Sequence, residues 1–275
     1  NVDDDTRKMM QKSAENRTRL VDLSPHLLAW LSDLRQDTST ATERVLEPGT
    51  ADYVYLESMF QNSLERHRSR RGSDEWCAPP DLEVLRISLL PIQPAMVKKY
   101  DSERDRIAKR GKLAELAVAM AEATAPLSRD DYNERFLFHG APWNAIEDIS
   151  AGGFDCKYAG SQTGVMFGQG VYFAPHVSKC NFYAGKTEDG RQAMILARVL
   201  LGQALPKWRK CTFIKTLGAY DSVAAVPRDY DGSVDFPEVC IYQNTQALPM
   251  AVFQYRHRSE CDCKDCLHER SQVSP

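Results

Sequence analysis

The sequence predicts an α+β fold, because helical patterns gather towards its front and strand patterns towards its back. Three observations carry this. Apolar residues recur at helical spacing in several windows between Asp52 and Ala123. Short apolar runs bounded by glycine, proline and polar turns dominate from Phe136 to Tyr255. No strand leads through Gly-x-Gly-x-x-Gly into a helix, which argues against a doubly wound dinucleotide-binding sheet.

Residues 1–50 are polar and charge-rich and read as an N-terminal extension. One short helix is expected there, with Ser24 as N-cap, Pro25 in the first turn and Leu27, Leu28, Leu31 and Leu34 on one face. Residues 36–50, rich in Thr, Ser and Asp and holding Pro48-Gly49, read as a linker. From Asp52 a helix places Tyr53, Leu56, Phe60 and Leu64 on one face, then runs into the basic stretch Arg66 to Gly72, expected as a solvated helix end. Leu82 to Ile92 alternates as a strand does. Pro94 opens a charged helix to about Arg110, and Lys112 to Ala123 reads as another. Phe136 to Phe138 is a short buried strand ending at His139. A helix follows from Pro142 to Ser150 and stops at Gly152-Gly153. Tyr158 to Gln169 is an uncharged loop. A helix near Ser178 to Tyr183 and strands near Ala193–Leu200, Glu238–Gln243 and Met250–Tyr255 complete the order.

At 275 residues, 43% hydrophobic and 27% charged, the chain can bury a substantial core. A net charge of −3 supplies no global field for nucleic acid, and no stretch has the roughly 18–20 apolar residues of a membrane helix. The polar, acidic N-terminus carries no signal-peptide pattern, and its start at Asn1 leads to the expectation of a fragment of a longer protein. Five of the eight cysteines are scattered (Cys77, Cys156, Cys180, Cys211, Cys240), a usage that suits a reducing, intracellular compartment. The other three stand in a polar tail, residues 258–275. There Cys261, Cys263, Cys266 and His268 offer soft ligands that could hold zinc, although the expected chemistry requires no metal.

The stretches Phe136-Leu-Phe-His139-Gly140 and Gly168-Gln-Gly170-Val-Tyr172-Phe-Ala174 are the most informative. Each sets a polar aromatic residue near a glycine beside an apolar run. Glycine lets a flat ligand approach the backbone. A histidine, a tyrosine and bare backbone facing one another would form a slot for a planar ring with hydroxyls nearby. Glu238 opens the run Val239 to Tyr242, where a buried carboxylate is costly without a partner.

These stretches, with Gly153-Phe-Asp155, Ser178-Lys-Cys180-Asn-Phe-Tyr183, Tyr220-Asp-Ser222-Val and Glu238 to Pro249, come in the order seen in poly(ADP-ribose) polymerase catalytic domains. Residues 51–257 resemble that family, within the ADP-ribosyltransferase superfamily. The resemblance implies two packed antiparallel-rich sheets with helices around them and NAD, the substrate, in the cleft between. It also implies a His-Tyr-Glu triad of His139, Tyr172 and Glu238. Nothing before Asp52 resembles the helical regulatory bundle of break-sensing members, so gating by DNA breaks is not expected.

By the same resemblance, Gly140 pairs with the nicotinamide carboxamide, and Tyr172 and Tyr183 sandwich the ring. His139 holds a ribose hydroxyl, while Glu238 holds the 2′-hydroxyl and faces the developing oxocarbenium ion. Two positions depart from the family. Ala141 replaces a usual Ser or Thr, and Cys180 stands where a serine usually meets the carboxamide; Cys180 would there be open to thiol reagents. The acceptors implied are proteins, the chain itself included, with nucleic acid a lesser alternative and no membrane; oligomeric state is not indicated. Glu238 leads to the expectation of poly rather than mono transfer, since members with an apolar residue there transfer single units. Lys207, Arg209, Lys210 and Lys215 could hold acceptor phosphates. A silent NAD- or ADP-ribose-binding module and an NAD glycohydrolase are the alternatives.

Overall fold

The computed structural model describes residues 42–68, 75–110, 120, 132–158, 166–212 and 217–273. The helix expected around Leu27 to Leu34 lies outside them, as does all but Met120 of the Lys112–Ala123 helix.

Eleven strands form three sheets among these residues: β1 (Arg44–Val45), β2 (His67–Arg68), β3 (Trp76–Cys77), β4 (Leu82–Leu89), β5 (Glu134–Gly140), β6 (Val171–Phe173), β7 (Gln192–Leu200), β8 (Ala204–Lys207), β9 (Ser222–Ala225), β10 (Glu238–Ile241) and β11 (Ala247–His257). The main sheet has the order β1-β4-β11-β7-β5 and is antiparallel throughout. A second sheet, β6-β10-β9-β8, is antiparallel except for β8 against β9, and β2 with β3 makes a small hairpin. The α-helices with described bounds are α1 (Ala51–Gln61), α2 (Pro94–Ala108), α3 (Trp143–Gly152), α4 (Val177–Asn181) and α5 (Lys264–Val273). The chain is thus mixed α and β with several antiparallel sheets.

The main sheet is the middle layer, and its strands show why. All nine residues of β7 are buried. Ala193, Ile195, Ala197 and Val199 face a core shared with Val171, Phe173, Ala224, Val239 and Ile241 of the second sheet. Met194, Leu196 and Leu200 face the opposite core, where α1 contributes Tyr53, Leu56 and Phe60 and α2 contributes Tyr100 and Ile107. Period-2 alternation therefore feeds two cores at once. In β11 the register shifts between Pro249 and Ala251, a bulge at the residue that cannot donate to the ladder.

The helices follow their sequence signals. Thr50 caps α1, its Oγ1 accepting from Tyr53 N at 3.3 Å. Phe60 of α1 stacks on Phe253 at 5.2 Å and meets Phe138 edge-on at 6.1 Å, which fixes β5 just before His139. Pro94 opens α2. Gly153, with φ 82°, ends α3 as the double glycine predicts. Inside the first core, Arg198 Nη2 lies 2.8 Å from Glu134 Oε1, both side chains 1% exposed, and Tyr100 OH donates to the same oxygen at 2.6 Å. This network ties α2, β5 and β7 together.

Three expectations need correction. Arg66 to Arg68 do not end a helix: α1 stops at Gln61, and His67-Arg68 form β2. Arg68 lies over Trp76 at 4.4 Å and pairs with Asp229 and Asp235. Arg44-Val45, in the stretch read as linker, forms the edge strand β1 against Ser88 and Leu89. The cysteine-bearing end packs inwards: Cys261 and Cys263 are 1% and 0% exposed, and Lys264–Val273 is helical.

Candidate active site

The two sheets meet at Phe138 and Ala174, which exchange backbone hydrogen bonds of 2.8 and 3.0 Å. That junction places the next residue of β5, His139, against β6. Its Nδ1 lies 2.8 Å from the Tyr172 carbonyl. A carbonyl only accepts, so Nδ1 carries the proton and Nε2 keeps its lone pair. Burial lowers the imidazole pKa from its ordinary value, with the Tyr172 carbonyl pulling the other way. At neutral pH His139 is a neutral ring with an acceptor nitrogen. Phe154 and Phe173 clasp it at 5.4 and 5.5 Å.

Gly140 follows, and its lack of a side chain is a steric requirement. A Cβ there would stand 2.0 Å from the Cys180 carbonyl oxygen. The backbones of β5 and α4 are in direct contact, as only glycine permits. Cys180 Sγ donates to Phe138 O at 3.2 Å, and burial pushes the thiol up to about 12. It is therefore a neutral thiol turned to the backbone, and the reactivity towards thiol reagents anticipated from its position is not favoured. α4 is itself anchored, with Ser178 Oγ accepting from Glu65 N at 2.7 Å and Val177 N donating to Ser63 Oγ at 3.2 Å.

Tyr172 lies opposite Cys240 in the β6–β10 ladder, and Glu238 is two residues along β10, on the same face. The Tyr172 hydroxyl accepts from Phe167 N at 2.8 Å and donates to Gly168 O at 2.9 Å. This explains the Gly168-Gln-Gly170 turn: the tyrosine staples it. Gly170 would clash too, its Cβ falling 2.4 Å from Ile241 O.

Glu238 is 4% exposed and its Oε2 lies 3.0 Å from Lys179 Nζ. Lys179 also donates to Tyr183 OH at 3.3 Å and sits 5.2 Å over that ring. The carboxylate and the tyrosine hold the lysine pKa above its usual range against desolvation. Tyr183 remains 41% exposed, its ring free to stack on a planar guest. Lys179 and Phe154 lie within the motifs, yet sequence reasoning gave them no role; neither carries a local signal, since each acts on a residue distant in the chain. Ala141 is buried among apolar neighbours.

Other motif residues hold the frame. Asp221 accepts from Arg106 at 2.6 Å, Arg110 at 2.9 Å and Gln203 N at 2.9 Å. Ser222 Oγ donates to Leu201 O, and Gln246 Nε2 to Leu200 O and Asp221 O. Asp155 bonds Lys157 N and Asn244 Nδ2. Of the four basic residues expected to hold acceptor phosphates, Lys215 lies outside the described residues.

Four soft groups also converge: His257, Cys261, Cys263 and Cys266 have their ligand atoms within 4.8 Å of one another. His268, expected among them, is not there; its Nε2 instead lies 2.9 Å from Gln272 Nε2. On α5, residues two apart project to opposite sides, so Cys266 and His268 cannot turn to one centre.

Residues 99–233 match the family model described as "Poly(ADP-ribose) polymerase catalytic domain". The chain is 35% identical over 124 residues to Protein mono-ADP-ribosyltransferase PARP10 of Mus musculus, covering 42% of this chain and 12% of that protein. Over 72 residues it is 35% identical to Protein mono-ADP-ribosyltransferase PARP14 of Homo sapiens, 26% of this chain and 4% of that protein. Over another 72-residue alignment it is 36% identical to Protein mono-ADP-ribosyltransferase PARP12 of Mus musculus, 26% of this chain and 10% of that protein. The chain thus spans a small part of each relative's length. Among the described residues no helix is long and apolar enough to cross a membrane.

Proposed function

The chain belongs to the poly(ADP-ribose) polymerase catalytic-domain family, and on that premise we propose that it cleaves NAD at the nicotinamide–ribose bond and transfers ADP-ribose to protein acceptors, itself included. The observation that carries this reading is Glu238: a 4% exposed carboxylate at the start of β10, held by Lys179 beside Tyr183. A carboxylate fixed in this way suits a reaction whose transition state gathers positive charge on a ribose.

NAD would lie where the two sheets meet. Gly140, bare against Cys180, would offer its backbone N–H and C=O to the carboxamide. Tyr183 would cover one face of the ring and Tyr172 the other. His139 Nε2, the free lone pair, would accept a ribose hydroxyl proton. Glu238 would accept from the 2′-hydroxyl and, as the bond to nicotinamide breaks, stabilise the ribosyl cation. Nicotinamide leaves as a neutral base, so no acid is needed for its departure. Glu238 could then take the proton of the incoming nucleophile. No metal enters this chemistry. Eight free cysteines, Cys240 and Cys180 buried among them, support placing the protein inside the cell.

The number of units transferred divides the support. The three relatives above are all named mono-ADP-ribosyltransferases, which favours single-unit transfer. Glu238 is the observation that favours chain growth, and Lys207, Arg209 and Lys210 would be the cations to hold the phosphates of a preceding unit. We take single-unit transfer as the first reading. A silent binding module draws its support from Cys180, whose thiol is turned to Phe138 O, and from Ala141.

The test is to incubate the wild-type chain and Glu238→Gln with NAD labelled in the adenylate half. Nicotinamide release and protein-bound label are measured together. Release with label in the wild type, both reduced in the variant, supports the reading. Release without label selects an NAD glycohydrolase, and neither signal selects the silent module. Label on added DNA or RNA in place of protein would move the acceptor to nucleic acid.

A further inference from the structure

We propose that His257, Cys261, Cys263 and Cys266 form a structural zinc site that clamps the C-terminal helix α5 to the end of β11 and to α4. The geometry carries it. Nδ1 of His257 lies 3.4 Å from Cys261 Sγ, 3.5 Å from Cys263 Sγ and 3.2 Å from Cys266 Sγ. A tetrahedral zinc with bonds of about 2.3 Å to sulfur and 2.05 Å to nitrogen requires N···S edges of roughly 3.6 Å. All four ligand atoms lie within 4.8 Å, as around one ion.

Hydrogen bonding alone does not account for this cluster. His257 Nε2 lies 3.3 Å from Asn181 Oδ1, an oxygen that also accepts from Tyr255 OH at 3.0 Å. An amide oxygen accepts, so the ring proton is on Nε2 and Nδ1 has one lone pair. One lone pair can receive one S–H. Three sulfurs crowd it, two of them on residues 1% and 0% exposed. A dication at their centre satisfies all four groups, and it releases three thiol protons to solvent with no change of oxidation state.

The surroundings resemble those of a metal centre. The Nε2–H bond to Asn181 fixes the tautomer that presents Nδ1. The Asp81 N–H donates to Cys261 Sγ at 3.2 Å, as backbone amides do to metal-bound thiolates. Three sulfurs and one imidazole select zinc over harder cations, and four protein ligands leave no open position, so the site is structural.

Its place in the fold gives it work. Asn181 is the last residue of α4, the helix that carries Lys179 and Cys180. Lys186 pairs with Glu269, and Lys264 Nζ lies 6.0 Å over Phe182. The clamp therefore holds the segment that bears Tyr183. It stands on its own residues, whatever the chain transfers.

The test is elemental analysis of the purified chain, with Cys266→Ser, His257→Ala and His268→Ala beside the wild type. About one zinc per chain is expected in the wild type and in His268→Ala, falling at least about tenfold in the other two. Because either variant could misfold, the wild type is also stripped by chelator and reloaded with cobalt. Thiolate-to-cobalt charge transfer with the intense visible bands of a tetrahedral ion, and recovery of the melting temperature on reloading, support the site. Wild-type protein without zinc, in which cobalt gives no such bands, overturns it. So would a disulfide among the three cysteines by mass, or loss of zinc in His268→Ala.

Discussion

Gly140→Ala is the sharpest perturbation of the candidate site. The new Cβ would stand 2.0 Å from Cys180 O, 2.8 Å from its carbonyl carbon and 3.2 Å from its Cα. All three are backbone atoms, so no side chain can swing away. Reaching even a tight 3.0 Å contact moves α4 or the end of β5 by about 1 Å, and such a shift at a reacting centre costs on the order of 100-fold in rate. Overpacking of this kind costs about 1–3 kcal/mol of stability. The backbone of Gly140 is not left-handed, so the effect is steric alone. Gly152→Ala is the matched control: it has open space, no positive φ and a helical position. Melting curves and nicotinamide release separate the two. Gly140→Ala should stay folded, melt lower and release nicotinamide about 100-fold more slowly, while Gly152→Ala melts no lower than wild type and keeps its rate of release. Turnover of Gly140→Ala within twofold of wild type, with unchanged melting, would refute the close approach as a requirement of the site.

Other perturbations have equally definite outcomes. Lys179→Met leaves Glu238 buried without its cation, and activity should fall at least about tenfold in a nicotinamide-release assay. Glu134→Leu strands Arg198, 1% exposed, and should cost about 3–5 kcal/mol by denaturant titration, most of it recovered in Glu134→Leu with Arg198→Met. Burial lowers His176 to about 4 from 6.5. The unfolded chain then binds the extra proton between those values, so this group's contribution is complete above pH 6.5 and is lost as pH falls towards 4, by up to about 3 kcal/mol. Acid unfolding of His176→Phe should lack that component.

The helices and long strands were legible because their signals are local. Pro94, Gly153 and the alternation of Leu82 to Leu89 each act within a few residues. The His-Gly and Gly-x-Gly-x-Tyr motifs were legible for a related reason: Gly140 and Gly170 mark places where two backbones meet. β8 and β9 went unseen because Ala204–Lys207 and Ser222–Ala225 are short and lack alternation, and only their mutual pairing makes them strands. Nothing local in the sequence marks Lys179, because its partner Glu238 comes to it across the fold. The error over His268 has the same root. Nearness in sequence suggested it, whereas β11 delivers His257 and the turn of α5 carries His268 away.

The most direct test of the central claim is intact-mass spectrometry of the chain after incubation with NAD, beside Glu238→Gln. The account predicts a mass increase of a whole ADP-ribose unit on wild-type protein, abolished or strongly reduced in the variant. A ladder of successive units would keep the claim and establish chain growth through Glu238. Wild-type protein of unchanged mass, with NAD intact, would contradict it.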